Sequence, residues 1–273
     1  MSNKQMGDAI DVSSDSPTPT KTVADQSQPR RTHLTRWLKR LAWVLLALLL
    51  AAIVLDRIFP ARLPDERDAS VLVVSRDGTP LRAFADRNGI WRYPVKLDQV
   101  SPLYVTALLN YEDRWFWRHP GVNPLALLRA SGQWLHSGRI VSGGSTLTMQ
   151  VARILETAHN SNISSRSAPA KLIQILRAMQ LEVHLSKRDI LTLYLNHAPF
   201  GGTIEGVEAA SWAYLGKPSA QLSQAEAALL TVLPQSPSAL RPDRHASDAQ
   251  RARDKVLKRM ADLGVWTRAQ VAD

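Results

Sequence analysis

The sequence predicts a mainly α-helical domain with one small β-hairpin region, preceded by a single transmembrane helix. Three observations predict it. From Ser101 onward, helix start and stop signals recur with apolar residues at helical spacing between them. Before that, Asp77-Gly78-Thr79-Pro80 separates two short apolar runs, a hairpin pattern. Earlier still lies an apolar run with no polar face, and a basic cluster stands in front of it.

The 273 residues carry a net charge of +10 and no cysteine. Lack of cysteine excludes disulfides and thiolate metal sites and leaves the compartment open. Met1 to Pro29 is polar, rich in Ser, Asp, Thr and Gln, and nearly free of large apolar side chains. Such a stretch cannot bury enough surface to offset its ordering entropy, so a disordered tail is expected over residues 1–36 once the first basic residues are included. Within Met1 to Pro29, Lys4 and Lys21 face four aspartates, so the rest of the chain is more basic than the total shows. A basic body suits an anionic partner such as acidic lipid headgroups, phosphorylated substrates or nucleic acid.

Arg30, Arg31, His33, Arg36, Lys39 and Arg40 lead into an unbroken apolar run, Leu41 to Leu55. A span needs about 20 residues. Residues 37–59 supply them, with Lys39, Arg40 and Arg57 able to snorkel and Trp37 and Trp43 near an interface. The basic cluster precedes the run, which puts the tail in the cytoplasm and the body outside. A retained anchor is favoured over a cleaved signal, because a long tail replaces the usual short n-region and no small-x-small site follows.

Residues 60–100 are expected to form a linker and the small β region, with Ser70–Val74 and Leu81–Phe84 as its strands. Residues 101–266 form the main domain, and 267–273 a C-terminal end. Ser101-Pro102 sets an N-cap before a proline at the first helical position, ahead of the apolar stripe Leu103 to Tyr111. Ser186 with Asp189, and Ser223 with Glu226, have capping-box spacing. Gly216 and Gly264 stand where helices stop, and Pro234 ends the run Ala225–Leu233. Thr157 to Pro169 is Ser/Asn-rich and aperiodic, so a mobile loop is expected.

Two clusters carry chemistry. In Gly143-Gly144-Ser145-Thr146-Leu147-Thr148-Met149-Gln150, two glycines and a hydroxyl cluster open an apolar-periodic run. A helix that starts this way aims free N–H groups and hydroxyls at one point, a seat for phosphate; the plainer reading is a well-capped helix. Glu112-Asp113-Arg114-Trp115-Phe116-Trp117-Arg118-His119-Pro120-Gly121 combines two acids with three aromatics. Its functional reading sets Glu112 beside aromatic surface, where desolvation favours general acid–base work. Its structural reading is a helix end with solvated acids. His119 is expected to hold the following turn. No Ser-His-Asp pattern and no His pair at metal-ligand spacing occurs, and the aromatic-basic platform of a nucleic-acid binder is missing.

Glu112-Asp113-Arg114-x-Phe116-x-x-His119-x-Gly121 followed by Gly143-Gly144-Ser145-Thr146-Leu147-Thr148-x-Gln150 resembles the first two motifs of glycosyltransferase family 51, the peptidoglycan glycosyltransferases of class A penicillin-binding proteins. The resemblance continues through Lys187-Arg188-Asp189-Ile190, Tyr194-Leu195-Asn196, Phe200-Gly201-Gly202 and Gly206 to Lys217. It ends with Leu222 to Leu230 and Pro234-Gln235-Ser236-Pro237, and so covers roughly Val71 to Trp266. Its wording is most similar to the 1C type within that family. The resemblance implies a lysozyme-like, mainly helical glycosyltransferase fold with a lobe dipping into the membrane. It implies polymerisation of lipid II, with Glu112 as catalytic base. Asp113, Phe116, His119, Ser145, Thr146, Gln150, Arg153, Lys171 and Gln174 are the matching substrate-site positions. The implied partners are lipid II, the growing glycan strand, membrane lipids and other cell-wall synthesis proteins, at the cytoplasmic membrane with the domain on its periplasmic side.

The chain departs from the family pattern at its third motif, commonly Arg-Lys-x-x-Glu. Aligned on Lys171 it reads Ala170-Lys171-Leu172-Ile173-Gln174, so the Arg and the Glu are both replaced; Met149 also stands at a common Gln. No protein-held metal is expected, and magnesium or manganese is the one candidate cofactor. Glu182, two helical turns beyond Gln174, is a candidate stand-in carboxylate, with an ion pair as its plainer role. Two rival readings are a lysozyme-like lytic enzyme and a catalytically weak cell-wall scaffold. Class A proteins normally continue into a transpeptidase half. No Ser-x-x-Lys box occurs in these residues, so that half is expected to be absent.

Overall fold

The computed structural model describes residues 30–61, 63, 64, 70–76, 80–126, 128, 129, 133, 144–159 and 168–272. The expected tail 1–29, the hairpin tip 77–79, Gly143 and the centre of the expected loop, 160–167, lie outside the described residues. The chain divides into two units, Met1–Arg57 and Ile58–Asp273.

The first unit is helix α1 (Arg30–Ile58). It starts before the expected residue 37 because nothing between Arg30 and Trp37 breaks a helix, and Arg, Leu and Lys favour one. Its segment Arg36–Ile58 has 23 residues and an apolar window of mean hydropathy 2.3 in which no residue is buried. At ~1.5 Å per residue that is about 34 Å, enough to cross a hydrocarbon core of about 30 Å.

The second unit opens with the expected hairpin. Strands β1 (Val71–Val74) and β2 (Pro80–Phe84) pair antiparallel, Val71 opposite Phe84 and Val73 opposite Arg82. The residues that follow were expected to be linker, yet they pack into the domain. Arg92 donates to Glu205 Oε2 and Asp86 Oδ2, both at 2.7 Å, and the Asn196 amide exchanges bonds of 2.8 and 2.9 Å with the backbone of Val95.

Helix α2 (Pro102–Glu112) begins where the sequence predicts, with Ser101 Oγ accepting from Leu103 N. Next come α3 (Leu147–His159), α4 (Ala168–His184) and α5 (Lys187–His197). Thr157 to His159 and Ala168 to Pro169 are therefore helical, and the expected loop narrows at both ends. Strands β3 (Pro199–Gly201) and β4 (Ile204–Glu205) form a small second ribbon. Helices α6 (Val207–Leu215), α7 (Gln224–Val232), α8 (Ala246–Asp262) and α9 (Arg268–Ala272) complete the unit. Both capping boxes form, at α5 and at α7; each N-cap contributes about 1 kcal/mol. Gly216 ends α6 in the left-handed conformation that glycine alone adopts freely.

Helix α2 runs through the core against α7 and α8, while α3 packs on α4 and α5. Tyr104, Leu108, Leu147, Tyr194, Phe200 and Leu230 are fully buried where these helices meet. One face of α4 is not covered. Leu172, Ile173, Leu176, Met179 and Val183 lie along it, 42 to 79 % exposed, at the spacing of a helical stripe.

Partly buried His197, in the last turn of α5, gives a pH-dependent term. A helix C-terminus favours imidazolium, but burial and then the Arg92 charge win, and its pKa falls from 6.5 to about 4. The unfolded chain therefore binds the extra proton between these values. The stabilisation is complete above pH 6.5 and lost as pH falls towards 4, at most about 3 kcal/mol. Urea midpoints at pH 7 and 4.5 should separate less in His197→Gln than in the parent; equal separations would contradict this origin.

Candidate active site

Glu112 is the last residue of α2 and half-buried. Its Oε2 accepts from Gln150 Nε2 at 2.8 Å and its Oε1 from Gln235 Nε2 at 2.5 Å. Gln150 sits in the first turn of α3, and Gln235 on the 3-10 turn Leu233–Gln235 that follows α7. The aromatic surface expected around Glu112 comes from tyrosines. Burial, and after it the Glu112 charge, raises the pKa of Tyr104 and Tyr111; for Tyr194 burial comes first, then Tyr104 and then Glu112, so all three stay neutral near pH 7. Trp115 and Trp117 are half exposed.

Asp113 caps the end of α2 and turns inward. Its carboxylate accepts from His119 Nε2 at 2.8 Å and from Leu147 N, the first amide of α3, at 2.8 Å. One buried acid thus fixes the end of α2 against the positive start of α3. Thr146 Oγ1 donates to Gly121 O at 2.5 Å and accepts from Met149 N at 3.2 Å. Gly121 has φ +83°, and a Cβ there would lie 2.7 Å from Ala178 O, so the turn meets α4 backbone to backbone.

Phe116 is fully buried, its ring edge-on to Trp117 and Lys187 Nζ 4.6 Å from its centre. Asp113, Phe116, His119 and Thr146 are buried, with their side chains bonded to or packed against protein groups.

Glu182 behaves as an ion-pair partner. Its Oε1 accepts from Lys187 Nζ at 2.6 Å and from Thr148 Oγ1 at 2.7 Å, and Lys187 also donates to His119 O. This carboxylate is spent on holding α3, α4 and α5 together, so it does not stand in for the Glu replaced by Gln174.

Lys171 on α4 reaches the start of α3, and Arg153 lies two turns along that helix. Lys171 Nζ donates to Ser145 Oγ. Its pKa is pushed down by burial first and the Arg153 charge second, so the two positive groups lie close together. Among the described residues neither forms a salt bridge. Gln174 is buried one turn beyond Lys171 on α4. Gln150 and Arg153, three residues apart, put the Glu112 contact and one cation on the same helix.

A divalent ion takes carboxylate oxygens. Here the carboxylates of Glu112, Asp113 and Glu182 all accept from N–H or O–H donors, and the groups beside Ser145 are cations. Among the described residues no cluster of three or more His, Cys, Asp or Glu could hold a metal. The described residues do not fit a protein-held divalent ion.

The family model described as transglycosylase matches residues 77–261, which hold every residue of this site. The chain belongs to the transglycosylase family. It is 58 % identical to penicillin-binding protein 1C of Escherichia coli (strain K12) over 240 residues, 86 % of this chain and 30 % of that protein. Penicillin-binding protein 1A of Pseudomonas aeruginosa is 38 % identical over 192 residues, 70 % of this chain and 22 % of that protein. The chain thus spans under a third of the length of these transglycosylase relatives. A solved penicillin-binding protein 1A from Haemophilus influenzae aligns with a TM-score of 0.41 and 20 % identity, over 76 % of this chain and 20 % of that one. These relatives and helix α1 fit a membrane-anchored protein.

Sequence reasoning named Glu112, Gln150, Arg153 and Lys171, and the fold brings them together around the first two turns of α3. It missed Gln235 as a site residue. The available signal was the glutamine in Pro234-Gln235-Ser236-Pro237, where flanking prolines mark a stiff turn.

Proposed function

We propose that this transglycosylase domain polymerises lipid II, a disaccharide-pentapeptide carried on undecaprenyl pyrophosphate, into β-1,4-linked glycan strands for cell-wall synthesis. One observation carries the reading: Gln150, which holds the Glu112 carboxylate, lies one turn before Arg153 on α3, and neither Arg153 nor Lys171 forms a salt bridge among the described residues. Glu112 takes the proton of the acceptor GlcNAc 4-hydroxyl. The freed oxygen attacks C1 of the lipid-linked MurNAc, the C1–O bond to the diphosphate breaks with inversion, and undecaprenyl pyrophosphate leaves. Lys171 and Arg153 meet the charge developing on the diphosphate, the electrostatic contribution that dominates such displacements. Ser145 Oγ, held by Lys171, supplies a polar atom beside it.

The setting supports a lipid-linked donor. Helix α1 anchors the domain in the cytoplasmic membrane as a single span with the catalytic unit on the periplasmic side, as the preceding arginines direct. The uncovered stripe of α4 meets membrane lipids, where the undecaprenyl chain runs. Other cell-wall synthesis proteins are the partners this role calls for.

Incubation with lipid II, against incubation with finished glycan, tests the reading. New glycan strands from lipid II, and no soluble muropeptides from glycan, are expected. Release of muropeptides would favour the lytic reading, and no product from either substrate would favour the scaffold.

A further inference from the structure

We infer that Gln235 is a positioning residue for Glu112, fixing together with Gln150 the direction in which the catalytic carboxylate faces its substrate hydroxyl. The inference rests on the proposed polymerisation of lipid II and names a further residue for that reaction.

Glu112 ends a helix, and a glutamate has three rotatable bonds that leave the direction of its head to be fixed. Two amides fix it. Gln150, 38 residues along the chain, holds Oε2, and Gln235, 123 residues along, holds Oε1. One donor on each oxygen defines both the position and the plane of the carboxylate. Each oxygen retains a second lone pair, so a sugar hydroxyl still has an acceptor.

The mount of Gln235 is rigid while its side chain is free of the core. Val232, Leu233 and Pro234 are buried, and Ser236 N closes the 3-10 turn on Leu233 O at 3.2 Å. Gln235 itself is exposed. An exposed amide–carboxylate bond adds little to stability, so the contact is not explained by folding.

Charge type matters as much as position. Among the described residues no Lys or Arg pairs with Glu112. Neutral amides hold the carboxylate without the strong preference for the ionised form that an adjacent cation imposes, a preference that would weaken it as a base.

The test is steady-state polymerisation of lipid II by the full chain in detergent, with pH profiles, for the parent and for Gln235→Ala, Gln235→Lys and Gln235→Glu. Gln235→Ala is expected to lower kcat by ~10- to 100-fold, the loss of one hydrogen bond to a charged group, with KM changed less than about threefold. Gln235→Lys should move the acid-side midpoint of the profile to lower pH, and Gln235→Glu to higher pH, each by about one unit. A merely structural residue would leave those midpoints in place. Unchanged kcat in Gln235→Ala, or superimposable profiles for the Lys and Glu variants, would overturn the inference. Glu112→Gln is run alongside. If it is inactive while the Gln235 variants match the parent, only this inference falls; if it polymerises normally, the base assignment falls and takes this inference with it.

Discussion

Glu112→Gln is expected to abolish glycan polymerisation, by ~1,000-fold or more, while leaving the fold intact. The substitution keeps the shape of the side chain. It also keeps hydrogen-bonding capacity, because a glutamine oxygen can still accept from Gln150 or Gln235. What it removes is the group that accepts the proton from the acceptor hydroxyl. A positioned base contributes roughly 100- to 10,000-fold, and an amide cannot replace it. Stability should change little, since the side chain is half-buried and forms no ion pair among the described residues. The measurement is the glycan ladder formed from lipid II, read beside a thermal melt of the same preparation. An unchanged ladder would remove Glu112 from the mechanism; a collapsed melt would assign the loss to folding.

The second large effect is expected at Lys171. Two positive groups, Lys171 and Arg153, lie close enough for one to depress the other's pKa, with no acid bridging them among the described residues. In the resting protein this pair is unfavourable. The half-buried ammonium is met by the neutral Ser145 hydroxyl and no carboxylate among the described residues, and like charges repel. An arrangement that costs stability and is nonetheless present points to a ligand that relieves it, and a diphosphate has the charge to do so. Lys171→Met should therefore lower kcat by ~100- to 1,000-fold, the scale of losing one preorganised electrostatic contact. The melting temperature should stay level or rise. This opposite movement of activity and stability separates a substrate cation from a structural one. Retained activity, or a matching loss of both properties, would contradict the assignment.

The parts of this fold that local chemistry decides were readable from residues. Ser101, Ser186 and Ser223 cap helices because a hydroxyl one turn before a free amide is a short-range event. Gly216 stops α6 for an equally local reason. The hairpin 71–84 followed from its turn residues. Loop length was harder. Thr157 to Pro169 has turn-like composition, yet α3 reaches His159 and α4 begins at Ala168, because neighbouring helices stabilise ends that composition alone does not.

Longer-range features were not readable in this way. Helical spacing put Glu182 on a face shared with Gln174, but only the fold brings Lys187 and Thr148 to claim it. Motif membership selected Asp113, Phe116, His119 and Thr146 without saying that they are buried. A period of 3.6 gave α4 an apolar face, and it could not say whether protein or lipid covers Leu172, Leu176 and Val183. Gln235 meets Glu112 across 123 residues, a separation no local pattern spans.

The most direct measurement is the position of the diphosphate in a complex of this chain with a non-reacting lipid II analogue. The account predicts diphosphate oxygens within ion-pair distance, about 4 Å, of both Lys171 Nζ and the Arg153 guanidinium, with Glu112 turned to the acceptor 4-hydroxyl. A diphosphate bound away from Ser145, with Glu112 facing bulk water, would contradict it.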